Sequence, residues 1–218
     1  MTALIVPGLE HNSLIAGGDV MDSFNSFSVL PRLQINALNS KLTASGGAPP
    51  GDWILVSSTS TKPIGKIIDA CPLGIRPMAI DMSGKDAVVT FDHQSAYFKE
   101  IQAKAAAAAS GQLKEYMAGP QVLLLLGDGT LATFFLHNAS SLNIYASVKA
   151  SLMNWVTLQS KQITGKKGSY FAPELSACMA PPTLDSAVTA DLPAKVRDFL
   201  NPQKLETVQE SSEDARPQ

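Results

Sequence analysis

Lysines, glycines and aromatic rings are interleaved in KQITGKKGSYFAPEL, residues 161–175. The stretch holds Lys161, Lys166, Lys167, Tyr170 and Phe171, with no acid before Glu174. Lysine ammonium groups contact phosphates without regard to sequence, and an aromatic face accepts any planar base. A sparser stretch, DWILVSSTSTKPIGK, offers Trp53, Lys62 and Lys66 in the same combination. On an open groove such residues grip a polyanion carrying flat rings. Successive residues of a strand face opposite sides, so one of Tyr170 and Phe171 is expected in the core and the other exposed.

Signatures of catalysis or metal binding do not accompany this pattern. His11, His93 and His137 have neither HxH nor HExxH spacing, and read as surface or capping histidines. Two distant cysteines, Cys71 and Cys178, make neither a disulfide framework nor a four-ligand zinc site, and read as buried thiols. Asp92 and His93 are neighbours that point apart. GDG at 127–129 lies between two apolar runs and reads as a turn rather than a phosphate cradle. TGKKG and SGKDA are not phosphate-binding P-loops, and no GxSxG is present. A non-enzymatic protein without metal or cofactor is expected.

The formal net charge of -2 hides an asymmetry. Residues 23–76 carry Arg32, Lys41, Lys62, Lys66 and Arg76 against Asp52 and Asp69. Residues 129–173 carry Lys149, Lys161, Lys166 and Lys167 and no acid. Residues 204–218 are acidic, with Glu206, Glu210, Glu213 and Asp214. The N-terminal stretch lacks the basic region of a signal peptide, and no apolar run approaches the roughly 18 residues of a membrane helix. No membrane association is expected.

These charges must be positioned by an α+β domain. LPRLQINAL alternates, with Leu33, Ile35 and Ala37 on one side and Arg32, Gln34 and Asn36 on the other, as in a half-buried strand. DWILVSSTS is a strand, and GKIIDACPLGIRPMAIDM is one or two more. DHQSAYFKEIQAKAAAAASGQLKEYM is helical, capped by Asp92 or Ser95 and ended near Gly111, with Tyr97, Phe98 and Ile101 on its apolar face. GPQVLLLLGDGTLATFFLHNAS predicts a buried hairpin turning at Asp128-Gly129. SSLNIYASVKASLMNWVTLQS predicts a helix capped by Ser140 or Ser141, its stripe formed by Tyr145, Val148, Leu152 and Trp155. A loop and an extended segment follow over 161–178, then one or two terminal helices. The expected organisation is a flexible arm at 1–28, one domain at 29–203 and a disordered acidic tail at 204–218. Its sheet is expected to be a small, mostly antiparallel barrel or curved sheet decorated with helices.

The order of LPRLQINAL, GDWILVSS, IGKIIDACPLGIRPMAID, GPQVLLLL and KQITGKKGSYFAPEL resembles phage-encoded single-stranded DNA-binding proteins. The resemblance spans about residues 29–202. It implies an OB-like fold, sequence-tolerant binding of single-stranded DNA in replication or recombination, and a place in the host cytoplasm. Under that reading Lys161, Lys166, Lys167, Lys62 and Lys66 track phosphates, while Tyr170 or Phe171, and Trp53, stack on bases. Expected partners are single-stranded DNA, with replication proteins and further copies of the chain as candidates. The competing reading is a self-associating structural or assembly protein whose lysines are only solvated.

The Lys166-Lys167 pair yields a direct test. If both contact phosphates, the double alanine variant weakens single-strand binding about equally for all sequences. Its salt dependence falls by about 0.7 per lysine in log–log slope, measured by oligonucleotide titration at several salt concentrations. An unchanged slope makes these lysines ordinary solvated charges.

Overall fold

The computed structural model describes residues 30–57, 59–84, 87–108, 115–165 and 168–201. The expectations for the arm at 1–28, the tail at 204–218, and the positions of Lys166 and Lys167 lie outside the described residues.

The alternating segment forms β1 (Arg32–Ile35), which pairs antiparallel with β2 (Trp53–Val56), itself paired with β3 (Thr61–Gly65). Between β1 and β2 the short helix α1 (Lys41–Ala44) is folded around Asn36. The alternation places Asn36 on the polar side, yet it is buried. Its amide donates to Thr43 Oγ1 at 2.9 Å and to the carbonyls of Ala48 and Pro49 at 3.0 Å, and Ser40 donates to its Oδ1. A buried amide is tolerable only when so satisfied.

The segment read as one or two strands is a single long one, β4 (Ile67–Asp81), with a register irregularity between Pro72 and Gly74. β5 (Val88–Thr90) pairs with its end, at Ala79–Asp81. Helix α2 (Ala96–Ala107) begins where Ser95 accepts the Phe98 N–H at 3.1 Å and buries Phe98 and Ile101, as the periodicity predicts. The expected hairpin is β6 (Tyr116–Leu126) with β7 (Leu131–Phe135). Gly129 takes φ +84° in its turn, a conformation glycine adopts without strain. Leu123–Leu126 are buried throughout, the mark of a strand covered on both faces.

The next segment departs from expectation. The long helix breaks into α3 (Ala139–Leu142) and α4 (Tyr145–Ala150), and the chain turns at Met153, whose φ is 62°. The Met153 N–H donates to the Pro72 carbonyl at 2.8 Å, anchoring the turn to β4. Asn138, not Ser140 or Ser141, caps α3, and Ser141 returns a bond to complete the capping box. Trp155 is buried as expected, but beside a strand, β8 (Val156–Gly165). Nor are residues 161–165 a loop. β8 and β9 (Gly168–Ala177) form a regular hairpin from Val156↔Ala177 to Gly165↔Gly168. Two closing helices, α5 (Ser186–Ala190) and α6 (Leu192–Leu200), follow. α6 buries Leu192, Val196, Phe199 and Leu200, an apolar face at helical spacing.

The strands form one α+β sheet in the order β3-β2-β1-β7-β6-β4-β8-β9, with β5 also on β4. β1 runs parallel to β7, and every other pair among the described residues is antiparallel. The sheet is therefore mixed and does not close into a barrel, which corrects the more compact of the two expectations. It curls instead, so that Phe171 of β9 meets Gly51 before β2. Among the described residues no helix is long and apolar enough to cross a membrane.

The main core packs Leu33, Trp53, Leu73, Ile75, Val122, Leu124 and Phe134 with Leu152, Trp155, Val196 and Phe199. Cys71 and Cys178 belong to it as free thiols, and burial pushes the Cys71 thiol up to about 12. Neither cysteine should react with a disulfide reagent at pH 8 in the native protein, while both should react once denaturant exposes them. Rapid stoichiometric labelling without denaturant contradicts this packing.

Candidate functional site

One face of the sheet is not filled by the main core. Strand alternation puts Arg32 and Gln34 of β1, Thr133 and Phe135 of β7, Gln121 of β6, and Met78 and Ile80 of β4 on the same side. They line an open cleft of about 590 Å³. Lys41 of α1 and the segment His137–Ser141 around α3 contribute at its margins, and Phe171 and Pro173 of β9 form another wall.

The charged side chains among the described lining residues of this cleft are basic. Arg32, Lys41 and His137 line it, and no aspartate or glutamate among the described residues does. Arg32 is half-buried, and desolvation lowers its pKa, but a guanidinium stays charged in proteins. Aromatic surface lies beside the charge. The His137 ring stacks on Phe135, centroids 4.9 Å apart and planes 26° from parallel.

Gln121 is fixed by its cross-strand neighbour on β4. Its Oε1 accepts from Arg76 Nε at 2.8 Å. Arg76 is buried, donates a second bond to the Phe199 carbonyl of α6 at 2.8 Å, and lies between two rings. Its guanidinium carbon is 3.6 Å from the Phe91 centroid and 4.3 Å from that of Phe199. Desolvation draws the Arg76 pKa down to about 9, which leaves it a cation at neutral pH.

The structure disperses the residues predicted to bind. Trp53 is fully buried, edge-on to Phe134 with centroids 5.4 Å apart, so it cannot offer a face to a base. Its strand is covered on both sides, with Trp53, Ile54 and Leu55 all buried, and so carries no alternation to reveal this. Lys62 and Lys66 are exposed, but Lys62 stands opposite Leu55, a core residue on the other side of the sheet from the cleft. Lys161 is exposed and donates to Glu174 across the hairpin at 2.9 Å; such surface pairs contribute little stability. Tyr170 is 44% exposed, while Phe171 is half-buried against Gly51, so the exposed partner of the aromatic pair is Tyr170. Of the predicted residues that the structure describes, only Phe171 lines the cleft.

The sequence reading does not single out Arg32, Lys41, Gln121, Phe135 or His137 as binding residues. A signal exists for Arg32, which sits on the polar side of an alternating strand within the first basic block. None exists for Phe135 and His137, whose i, i+2 spacing is common in any strand. Among the described residues, no group of three or more His, Cys, Asp or Glu is placed to hold a metal. The chain matches no protein-family model, no curated protein and no solved structure.

Burial of Trp53 has a measurable consequence. Trp53→Ala should destabilise folding by about 3–5 kcal/mol, the usual cost of emptying a large aromatic site. Chemical denaturation reads this directly. A variant as stable as the parent, but weakened in ligand binding, would restore Trp53 to the surface.

Proposed function

We propose that the cleft binds single-stranded nucleic acid, and that the protein is a sequence-tolerant, non-catalytic single-stranded DNA-binding protein. One observation carries the reading: the cleft joins Arg32, Lys41 and a stacked Phe135–His137 pair, and none of its described lining residues is a carboxylate. Arginine and lysine on a groove recruit phosphates. Open aromatic faces beside them stack on bases of any identity, which makes recognition tolerant of sequence. Described lining residues that include no acid avoid the like-charge repulsion that would expel a polyanion.

The β8–β9 hairpin extends this surface. Phe171 supplies a second ring at the cleft wall. The resemblance to phage single-stranded DNA-binding proteins points to the same ligand and to a role in phage replication or recombination. An OB-like description is part of that proposal. The self-association reading takes the lead if the cleft binds no oligonucleotide.

Fluorescence anisotropy with a labelled single strand tests the assignment. Arg32→Gln combined with Lys41→Ala should weaken binding and lower the salt slope by roughly 0.7 for each phosphate that is no longer neutralised. Phe171→Ala should cost about 1–3 kcal/mol of binding at an unchanged slope, as expected of stacking. Parent-like affinity and slope in both variants, with parent-like melting, move the binding site elsewhere.

A further inference from the structure

Gln121 is the residue whose placement the general nucleic-acid reading leaves unused. Its side chain is only 5% exposed, yet it lines the cleft. A guanidinium offers only donors, so the Arg76 Nε bond fixes which end of the amide faces inward: Oε1 must turn to Arg76. The NH2 end is therefore the one left for the cleft, and no acceptor among the described residues takes it. Gln121 also stands directly across from Phe135 in the β6–β7 ladder, on the same face. Directly opposed side chains in an antiparallel pair lie about 5 Å apart. A donor of set direction thus sits next to the ring stacked on His137.

We propose that Gln121 reads the edge of a base stacked at the Phe135–His137 platform, favouring bases with an exocyclic carbonyl. This inference rests on the reading of the cleft as a nucleic-acid site. A side-chain NH2 can donate to O4 or O2 of thymine or O6 of guanine, whereas adenine presents an exocyclic amine in that place. Arg76 acts as a positioning residue: it touches no base, but it holds the amide in one orientation and removes the rotational freedom that would let Gln121 serve either partner. The protein is then sequence-tolerant overall, with one position that carries a modest preference.

Gln121→Glu provides the test. It keeps an oxygen for Arg76 and replaces the donor facing the cleft by an acceptor. Affinities for thymidylate and adenylate homopolymers of equal length are compared in the parent and the variant, with thermal melting as the check on folding. Some preference for thymidylate arises from strand flexibility alone, so the change in the ratio is the readout. The thymidylate-to-adenylate ratio should fall by about two- to tenfold in the variant, the worth of one neutral hydrogen bond, even if the added charge weakens both. An unchanged ratio in a folded variant overturns the inference. Should the variant not fold, the parent alone decides. It should bind thymidylate more tightly than an oligonucleotide of a thymine shape mimic lacking both carbonyls, and equal binding overturns the inference. A parent that binds no oligonucleotide at all brings down the reading of the cleft, and this inference with it.

Discussion

A buried cation without a carboxylate partner among the described residues holds this structure in register. Taking a guanidinium out of water costs several kcal/mol, and Arg76 is compensated from four sides. Two rings, Phe91 and Phe199, cover its faces, and the Phe199 carbonyl and Gln121 Oε1 accept its N–H groups. Cation–π interactions gain strength when desolvated, and charge-assisted hydrogen bonds are about twice as strong as neutral ones. These partners come from separate parts of the chain. Removing one leaves a buried charge short of compensation, so α6, β4, β6 and the segment after β5 are bound to one arrangement. The acceptor in α6 lies in its last turn, where carbonyls lack helical partners and the helix dipole favours a cation.

The same interaction links α6 to the cleft. Arg76 and Gln121 stand directly opposite each other in the β4–β6 ladder, on one face of the sheet, so the bond to the Phe199 carbonyl ties α6 to the residue presented to the cleft. The long β4 strand makes this geometry available because it pairs with β6 along its length, while β8 and β5 take only its ends on the opposite edge. Its middle section, which contains Pro72 and Pro77, is left to the Met153 turn and α6. Prolines lack an N–H and suit a strand edge without a ladder partner. The curl of the sheet then brings β9 back toward Gly51, where a Cβ would lie 2.5 Å from the Phe171 ring. Only a glycine lets the wall of the cleft approach so closely.

Much of the fold is legible where local chemistry decides it. The Asp128-Gly129 turn and the Ser95 cap are each set by a few residues and appear as expected, while the alternation of β1 holds over Leu33–Ile35 and fails at Asn36 and Ala37, which exchange sides. The failure at 151–160 has a physical cause. Tyr145, Val148, Leu152 and Trp155 keep helical spacing, but Val156 and Thr157 are β-branched and sit beside β4, and strand pairing with Ile67–Ala70 overrides the helical pattern. The candidate site is less legible than the fold. Its residues come from β1, α1, β4, β6, β7, β9 and the approach to α3, and no two of those segments carry a shared motif. Charge counting finds the stretch rich in lysine but cannot show that Lys161 is held by Glu174, or that Lys62 faces away. What it does register, the basic balance of residues 23–76, contains Arg32, Lys41 and Arg76, and these are the cations on which the cleft and its support rest.

The central claim is that the cleft, whose described lining holds no carboxylate, is where a single strand lies. Photochemical cross-linking tests it most directly. An oligonucleotide carrying iodinated uracil is irradiated in complex with the protein, and the adducts are located by peptide mass mapping. The account predicts adducts concentrated on Phe135, His137 and Phe171, abolished when unlabelled single strand competes. Adducts confined to Tyr170 or to the helical side of the sheet, with none on the cleft, would contradict it.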